Sequence, residues 1–537
     1  VSATTARSAA GTVLLTLCSA QFLMALDSSV MNVSIATVAS DLGTTITGIQ
    51  TAIVLYTLVM AMLMVTGGKV GSIVGRKRAF LAGCVIYCAG SLTTALSPSL
   101  GWLIFGWSFL EGVGAALIMP AIVALIAGNF AAEGRPRAYG LVGAAGAIAV
   151  AVGPLIGGLA TTYASWRWVF AGEVLVGAAI VLFSRRIADA PVDVRERLDR
   201  LGSVIWAAAM AFVIIGVLRS SVWGWILPAE GAPSFVGLSL TVWSILIGLG
   251  LVLLFMRHER AREAANREPL VSPGLLANRQ MTGGLLMFFF QFLVMMGLFF
   301  AIPLYLSVAL GLSAIDTGLK LLPLSVTMLL AAAGVPKLFP RVAPRRVVNL
   351  SLGVVIAGIL VLLATIDVDA TAEVVSGPLL LIGLGLGGLA SQLGSVTVSA
   401  VSDDESPEVG GLSNTASQFG ASMGTALAGS VLIAFLTASF LSGIASNPDV
   451  PDEVVAQANV QLTDGGEFIS DAQLEAGLAE AGVDEATTQA VVEVNEQARI
   501  DGLKATLALL AVFAVIALFF TRRIPTQQPG EVRSAGA

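Results

Sequence analysis

The stretch 138–163, AYGLVGAAGAIAVAVGPLIGGLATTY, carries no charged residue along 26 positions. As a helix it would be roughly 39 Å long at 1.5 Å per residue, more than enough for a hydrocarbon core of about 30 Å. Its glycines recur at Gly140, Gly143 and Gly146 and then in Gly153-Pro154-Leu155-Ile156-Gly157-Gly158. Small residues at such spacing let neighbouring helices approach closely, and proline permits a bend. The residues alone read as a packing motif in a membrane helix. A bending gate is the functional alternative.

Similar apolar runs extend along the 537 residues, at 12–38, 48–74, 79–97, 101–128, 138–163, 166–185, 202–222, 235–256, 281–308, 314–339, 346–366, 374–400, 409–441 and 501–521. The chain is 56% hydrophobic and 12% charged, with a mean hydropathy of +0.88. Soluble domains carry about 25% charged residues, so a water-soluble enzyme is excluded. The pI of 5.1 and net charge of −6 exclude a basic nucleic-acid footprint. Cys18, Cys84 and Cys88 all lie in apolar runs, which argues against a disulfide framework. The single histidine, His258, falls in a charged stretch and reads as a solvated residue in a loop. No metal-binding or hydrolase motif is visible, so neither a cofactor nor a metal is expected. No small-residue cleavage site follows the first run, which is expected to be retained.

Charge distribution sets the sidedness. With the N-terminus inside, 24 of the 29 Lys and Arg residues fall in cytoplasmic segments. A wrong span count would scramble this alternation, so fourteen spans with both termini cytoplasmic are expected. Two longer cytoplasmic connections, 186–201 and 257–280, bracket the seventh and eighth runs. They divide the chain into six, two and six helices, the build of carriers with a site between two halves. The expected domains are 1–186, a six-helix bundle; 187–280, linkers with two inserted helices; 281–441, the second bundle; 442–500, an acidic external loop; and 501–537, the last helix and tail. The loop holds twelve acids against Arg499. Helical spacing at 451–462 and 470–481, with Ser470/Asp471 and Asp484 as N-caps, predicts a small helical cap; an acidic solvated linker is the alternative.

The motifs resemble the major facilitator superfamily and, within it, the fourteen-helix drug:proton antiporters. Gly153 to Gly158 resembles that family's antiporter motif, with Ala149 where glycine is usual. Leu26-Asp27-Ser28-Ser29-Val30-Met31-Asn32-Val33 resembles its first-helix motif, and Trp166-Arg167-Trp168-Val169-Phe170 its entry to helix six. The run from Gly68 through Gly75, Arg76, Lys77 and Arg78 resembles the loop motif between helices two and three. Ser72 and Ser108 stand where that family usually has an acid and a membrane arginine, which puts both of those roles in doubt. The resemblance implies an all-α major facilitator fold of two six-helix bundles plus two inserted helices. It also implies a transporter, not an enzyme, that exports a small amphipathic or cationic compound in exchange for protons across a bacterial plasma membrane.

Acids within the spans point the same way without the family. A charged side chain at the bilayer centre costs roughly 2.5–3.5 kcal/mol or more, so such residues usually face a cavity and act. Asp27, Glu111 and Glu173 are the candidates for proton coupling and substrate contact. Asn32, Gln392, Asn414 and Gln418 are candidate cavity residues, with structural bonding as the alternative. Asp316 and Lys320, four apart, read as a local helical ion pair. The partners expected are a small molecule, protons and the bilayer, with the chain a monomer and no nucleic acid. The alternatives are an exporter of a lipid, peptide or endogenous metabolite with altered coupling, and a non-transporting membrane sensor or anchor.

Overall fold

A computed structural model of the chain describes residues 3–130, 134–189, 197–229, 231–368, 370–401, 406–461 and 471–526. Among them are fourteen helices long and apolar enough to cross a membrane: α1 (Gly11–Asp41), α2 (Ile46–Val74), α3 (Arg76–Ala95), α4 (Leu100–Asn129), α5 (Ala138–Tyr163), α6 (Arg167–Arg186), α7 (Arg200–Leu218), α8 (Leu240–Ala264), α9 (Arg279–Ala309), α10 (Ala314–Leu338), α11 (Pro344–Thr365), α12 (Ala372–Thr397), α13 (Glu408–Ser446) and α14 (Glu485–Arg523). Helices satisfy their own backbone groups, which hydrocarbon cannot do. Their starts are set by side chains that accept the first free N–H groups: Thr45 from Gly48, Asp199 from Gly202, Ser313 from Asp316 and Asp484 from Thr487.

The packing is duplicated with a shift of eight helices. The α1–α5 pair has its counterpart in α9–α13, α2–α4 in α10–α12, α3–α4 in α11–α12 and α3–α6 in α11–α14. The contact between the two sets follows the same rule, α2 packing on α13 and α5 on α10. The pair α7–α8 stands outside this repeat, with α7 lying against both α2 and α13. Trp206 on α7 donates to the Ala61 carbonyl at 3.2 Å, and Ser430 on α13 donates to the Val217 carbonyl at 2.9 Å.

The acidic segment is partly helical, at Asp452–Gln461 and Asp471–Glu480. Helix α14 begins at Glu485, well before the apolar run that starts at 501. Arg499, 2% exposed, binds both carboxylate oxygens of Asp471 at 2.6 and 2.7 Å and so docks the short helix on α14. Ser470, the other expected cap, lies outside the described residues.

Two expectations need correction. Lys320 does not pair with Asp316: its ammonium reaches Glu373 at 2.5 Å, while Asp316 accepts from Ser313 at 2.6 Å. The partner ahead of α12 lies nearer the Lys320 head than the acid one turn back. His258 is not in a loop but on α8, and its Nε2 lies 2.8 Å from Asp199 Oδ2. Asp199, outside the spans, is held below the ordinary carboxylate range. Burial opposes this, but the Gly202 N–H, the His258 ring and the Arg262 guanidinium outweigh it.

Candidate functional site

Three acids from three helices of the first half meet in one place. Asp27 on α1, Glu111 on α4 and Glu173 on α6 are 0%, 0% and 2% exposed. One carboxylate oxygen from each lies within 4.8 Å of the others. Among the described residues none of the three is ion-paired with Lys, Arg or His. The arginine at the head of α6, Arg167, is engaged elsewhere: it binds Asp41 and donates to the Ser97 carbonyl at 3.0 Å.

Neutral donors from α3 and α4 surround the acids. Trp107 Nε1 donates to Asp27 Oδ1 at 2.8 Å, and Tyr56 of α2 stacks on the Trp107 indole with centroids 5.0 Å apart and planes 10° from parallel. Tyr87 and Ser91 donate to Glu173 Oε2 at 3.0 and 3.3 Å. The Thr94 hydroxyl lies 3.2 Å from Glu111 Oε1 and 2.9 Å from the Gly90 carbonyl. Asp27 Oδ2, Glu111 Oε2 and Glu173 Oε1 are buried without a hydrogen-bond partner. Such oxygens suit a proton, and they are also the donor type that hard metal cations take.

The backbone under Glu111 is unusual. Residues Ile104–Glu111 are wound as a π-helix within α4. Such widened turns occur mostly as short insertions, frequently at functional sites. Here the insertion places Trp107 and Glu111 against α3, which approaches through Gly90: a Cβ there would sit 2.5 Å from the Glu111 side chain and 2.7 Å from the Gly106 carbonyl. Sequence reading found the acids but missed Trp107, Tyr56 and the α3 stripe. Tyr87, Ser91 and Thr94, spaced four and three apart in an otherwise apolar helix, were the signal available.

The other candidates lie apart from this cluster. Asn32 is 2% exposed and donates to the Ser28 carbonyl at 2.7 Å. Gln392 donates to its neighbour Ser391 at 3.2 Å. Asn414 is half-buried on α13. Gln418, also half-buried, points its amide at the Met60 sulfur, 3.4 Å away on α2, and so lies where the halves meet.

In α5 the glycines divide. A Cβ on Gly140 or Gly143 would meet nothing within 4 Å, so these two make no close helix contact, contrary to expectation. Gly157 lies against Val30 of α1, Gly158 against Ala314 and Ile315 of α10, and the Pro154 carbonyl against Gly318. Helix α5 runs through Pro154 without a break.

Gly68 faces Pro120 of α4, and Gly75, at φ 105°, makes the turn from α2 to α3. Arg76 donates to the Ala124 carbonyl at 3.4 Å, and Lys77 donates to the Arg185 and Ile187 carbonyls at 3.2 and 2.7 Å. These bonds all stay within the first half. Ser108 donates to the Ala52 carbonyl at 2.8 Å and ties α4 to α2.

A cavity of about 310 Å³ opens where the halves meet, at the end bearing the basic loops. Its walls are Met64 and Gly68 of α2, Pro120 and Ala121 of α4 and Leu412 of α13. Met64 is eight residues beyond Tyr56, so the cavity lies about 12 Å along α2 from the acids.

The profile described as Major Facilitator Superfamily matches residues 17–425. The puromycin resistance protein of Streptomyces alboniger is 31% identical over 445 residues, covering 81% of this chain and 84% of its own. The cephamycin export protein of Amycolatopsis lactamdurans is 30% identical over 430 residues, covering 79% and 85%. Among solved structures, a bacterial homolog of the human lysosomal transporter Spinster superposes with a TM-score of 0.59 at 14% identity, covering 96% of this chain and 98% of its own. That likeness concerns the fold. Duplicated six-helix halves, fourteen spans, a profile match over most of the chain and relatives at this identity lead to one conclusion: the chain belongs to the major facilitator superfamily and is a multi-pass membrane transport protein.

Proposed function

We propose that this transporter exports a small amphipathic or cationic organic compound in exchange for protons, with Asp27, Glu111 and Glu173 as the proton-carrying group. The observation that carries this reading is the convergence of three buried carboxyl groups without a cation. Two unit charges 4 Å apart repel by about 4 kcal/mol even at an effective dielectric of 20. The triad therefore does not hold three charges at once, and it releases or takes protons whenever solvent access or a nearby cation changes. A cationic substrate approaching the cluster favours deprotonation, which gives exchange. The antibiotic resistance and export roles named for the relatives support efflux as the direction.

The halves rock about contacts that the sequence already supplies: Gln50 to the Thr425 carbonyl at 3.1 Å and Ser422 to the Val54 carbonyl at 3.0 Å between α2 and α13, and the Pro154–Gly318 approach between α5 and α10. The skew of basic residues places both termini in the cytoplasm of a bacterial cell, and the protein works as a monomer. An exporter of a lipid, peptide or metabolite with altered coupling is the alternative, because Ser72 and Ser108 replace charged residues usual in the drug:proton antiporters.

The test is ethidium efflux from energised cells that produce the chain, with Asp27→Asn and Glu111→Gln beside it, in sodium and in choline buffers. Efflux that depends on the pH gradient, is lost in both variants and is indifferent to sodium is expected. Parental rates in both variants would sink the scheme. Sodium dependence would replace the proton with a metal cation.

A further inference from the structure

The connection between α8 and α9 is held from three directions. From α8, Glu259 Oε2 accepts the N–H groups of Leu270 and Val271 at 2.6 and 3.2 Å, and Arg262 donates to the Glu268 carbonyl at 3.1 and 2.9 Å. From α2, the Lys69 ammonium lies 2.9 Å from Glu268 Oε2. From α13, Glu408 accepts the Ser272 N–H at 2.8 Å and the Ser272 hydroxyl at 3.2 Å. Helix α2 belongs to the first half, α13 to the second and α8 to the inserted pair. Residues 268–272 thus touch all three parts of the molecule, and they wall the cavity between the halves together with Glu408.

The three attachments differ in strength. Glu259 is 1% exposed, and losing its bonds to two backbone N–H groups would strand a buried carboxyl group. The Lys69 and Glu268 side chains are 19% and 49% exposed, and an ion pair so wetted contributes little. The segment therefore parts from α2 first and stays with α8.

We propose that residues 268–272 form a clasp that closes the passage between the halves at the basic end. Glu259, Glu268 and Glu408 are its positioning residues, and the inserted pair α7–α8 is the post that carries it. This rests on the alternating-access reading above, which supplies the passage to be closed. It gives the two additional helices a task, and it explains why a chain with Ser72 between α2 and α3 still joins its halves at this end: Lys69, three residues earlier, makes the link instead.

The experiment uses the full chain with Cys18, Cys84 and Cys88 changed to serine and Ala121→Cys placed in the cavity wall. The protein is purified in detergent, where reagent reaches both ends, and the rate of maleimide labelling is read. Glu408→Gln, Glu268→Lys and Lys69→Glu should each speed labelling by about tenfold, the scale of one hydrogen bond to a charged group. The double exchange Lys69→Glu with Glu268→Lys should return the rate to that of the parent. A reporter at Ile359→Cys, deep in α11 and 0% exposed, should stay slow in every variant. Unchanged labelling of Ala121→Cys, no recovery in the double exchange, or equal acceleration at both reporters would overturn the clasp. Labelling needs no substrate, so a chain that moves no ethidium would defeat the proposed function and leave this result standing.

Discussion

The two halves are built alike and furnished differently. In the first, α1, α4 and α6 bring three acids together. In the second, the corresponding helices α9, α12 and α14 hold Gln291, Gln392 and Thr506 among their buried polar residues, and no buried Asp or Glu occurs in that half among the described residues. Gln291 donates to the Leu386 carbonyl at 3.4 Å, a link between α9 and α12 that is neutral at any pH. Apolar patterning and small residues suffice to repeat a helix bundle, because packing asks only for volume and close approach. Titratable chemistry asks for specific side chains, and a membrane protein that can place it in one half keeps the cost of buried charge out of the other.

The sharpest way to break this comparison is to neutralise one member of each half. Glu173→Gln should abolish pH-driven ethidium efflux, whereas Gln291→Leu should leave it within a factor of about two. Losing one coupled proton removes about 2.3 kcal/mol of drive per 100 mV, roughly fifty-fold in the concentration ratio sustained. Equal loss in the two variants would mean that the halves share the coupling. Trp107→Phe keeps the ring and removes the donor to Asp27. It should cost about 1–3 kcal/mol of stability, seen as an earlier thermal transition in detergent, because a buried acceptor is left unmatched.

A smaller effect separates the two ends of α5. Gly318→Ala would push a methyl group into the Pro154 carbonyl, where the halves meet, and should slow efflux several-fold. Gly140→Ala enters open space and should raise stability by about 0.5–1 kcal/mol through helix propensity, with transport unchanged. The smallest effect belongs to the surface: Lys320→Ala removes the pair with Glu373, 79% exposed, and should shift stability by no more than about 1 kcal/mol.

Much of the architecture was legible in the residues. Fourteen apolar runs became fourteen helices because a segment of that length and composition has one stable state in a bilayer. The acids were legible too, since each is costly where it lies. Their convergence was not. Asp27, Glu111 and Glu173 stand 84 and 62 residues apart in the chain, and nothing local brings α1, α4 and α6 together. The Lys320 pairing failed for the same reason: an i,i+4 rule sees one helix, and Glu373 sits ahead of another. The glycines of α5 were read as one motif, yet only the C-terminal group packs, because a helix end meets a neighbour while its beginning does not.

The sequence by itself determined the spans, the caps that begin them, the skew of basic charge and the presence of buried acids. These follow from hydrophobicity, length and local hydrogen bonding, all properties of contiguous residues. Only the tertiary structure decided that the acids form one cluster under Trp107, that a π-helical turn presents Glu111 to it, and that the connection 268–272 ties both halves to the inserted pair. Those depend on which helix faces meet, and that is settled by the packing of the whole bundle.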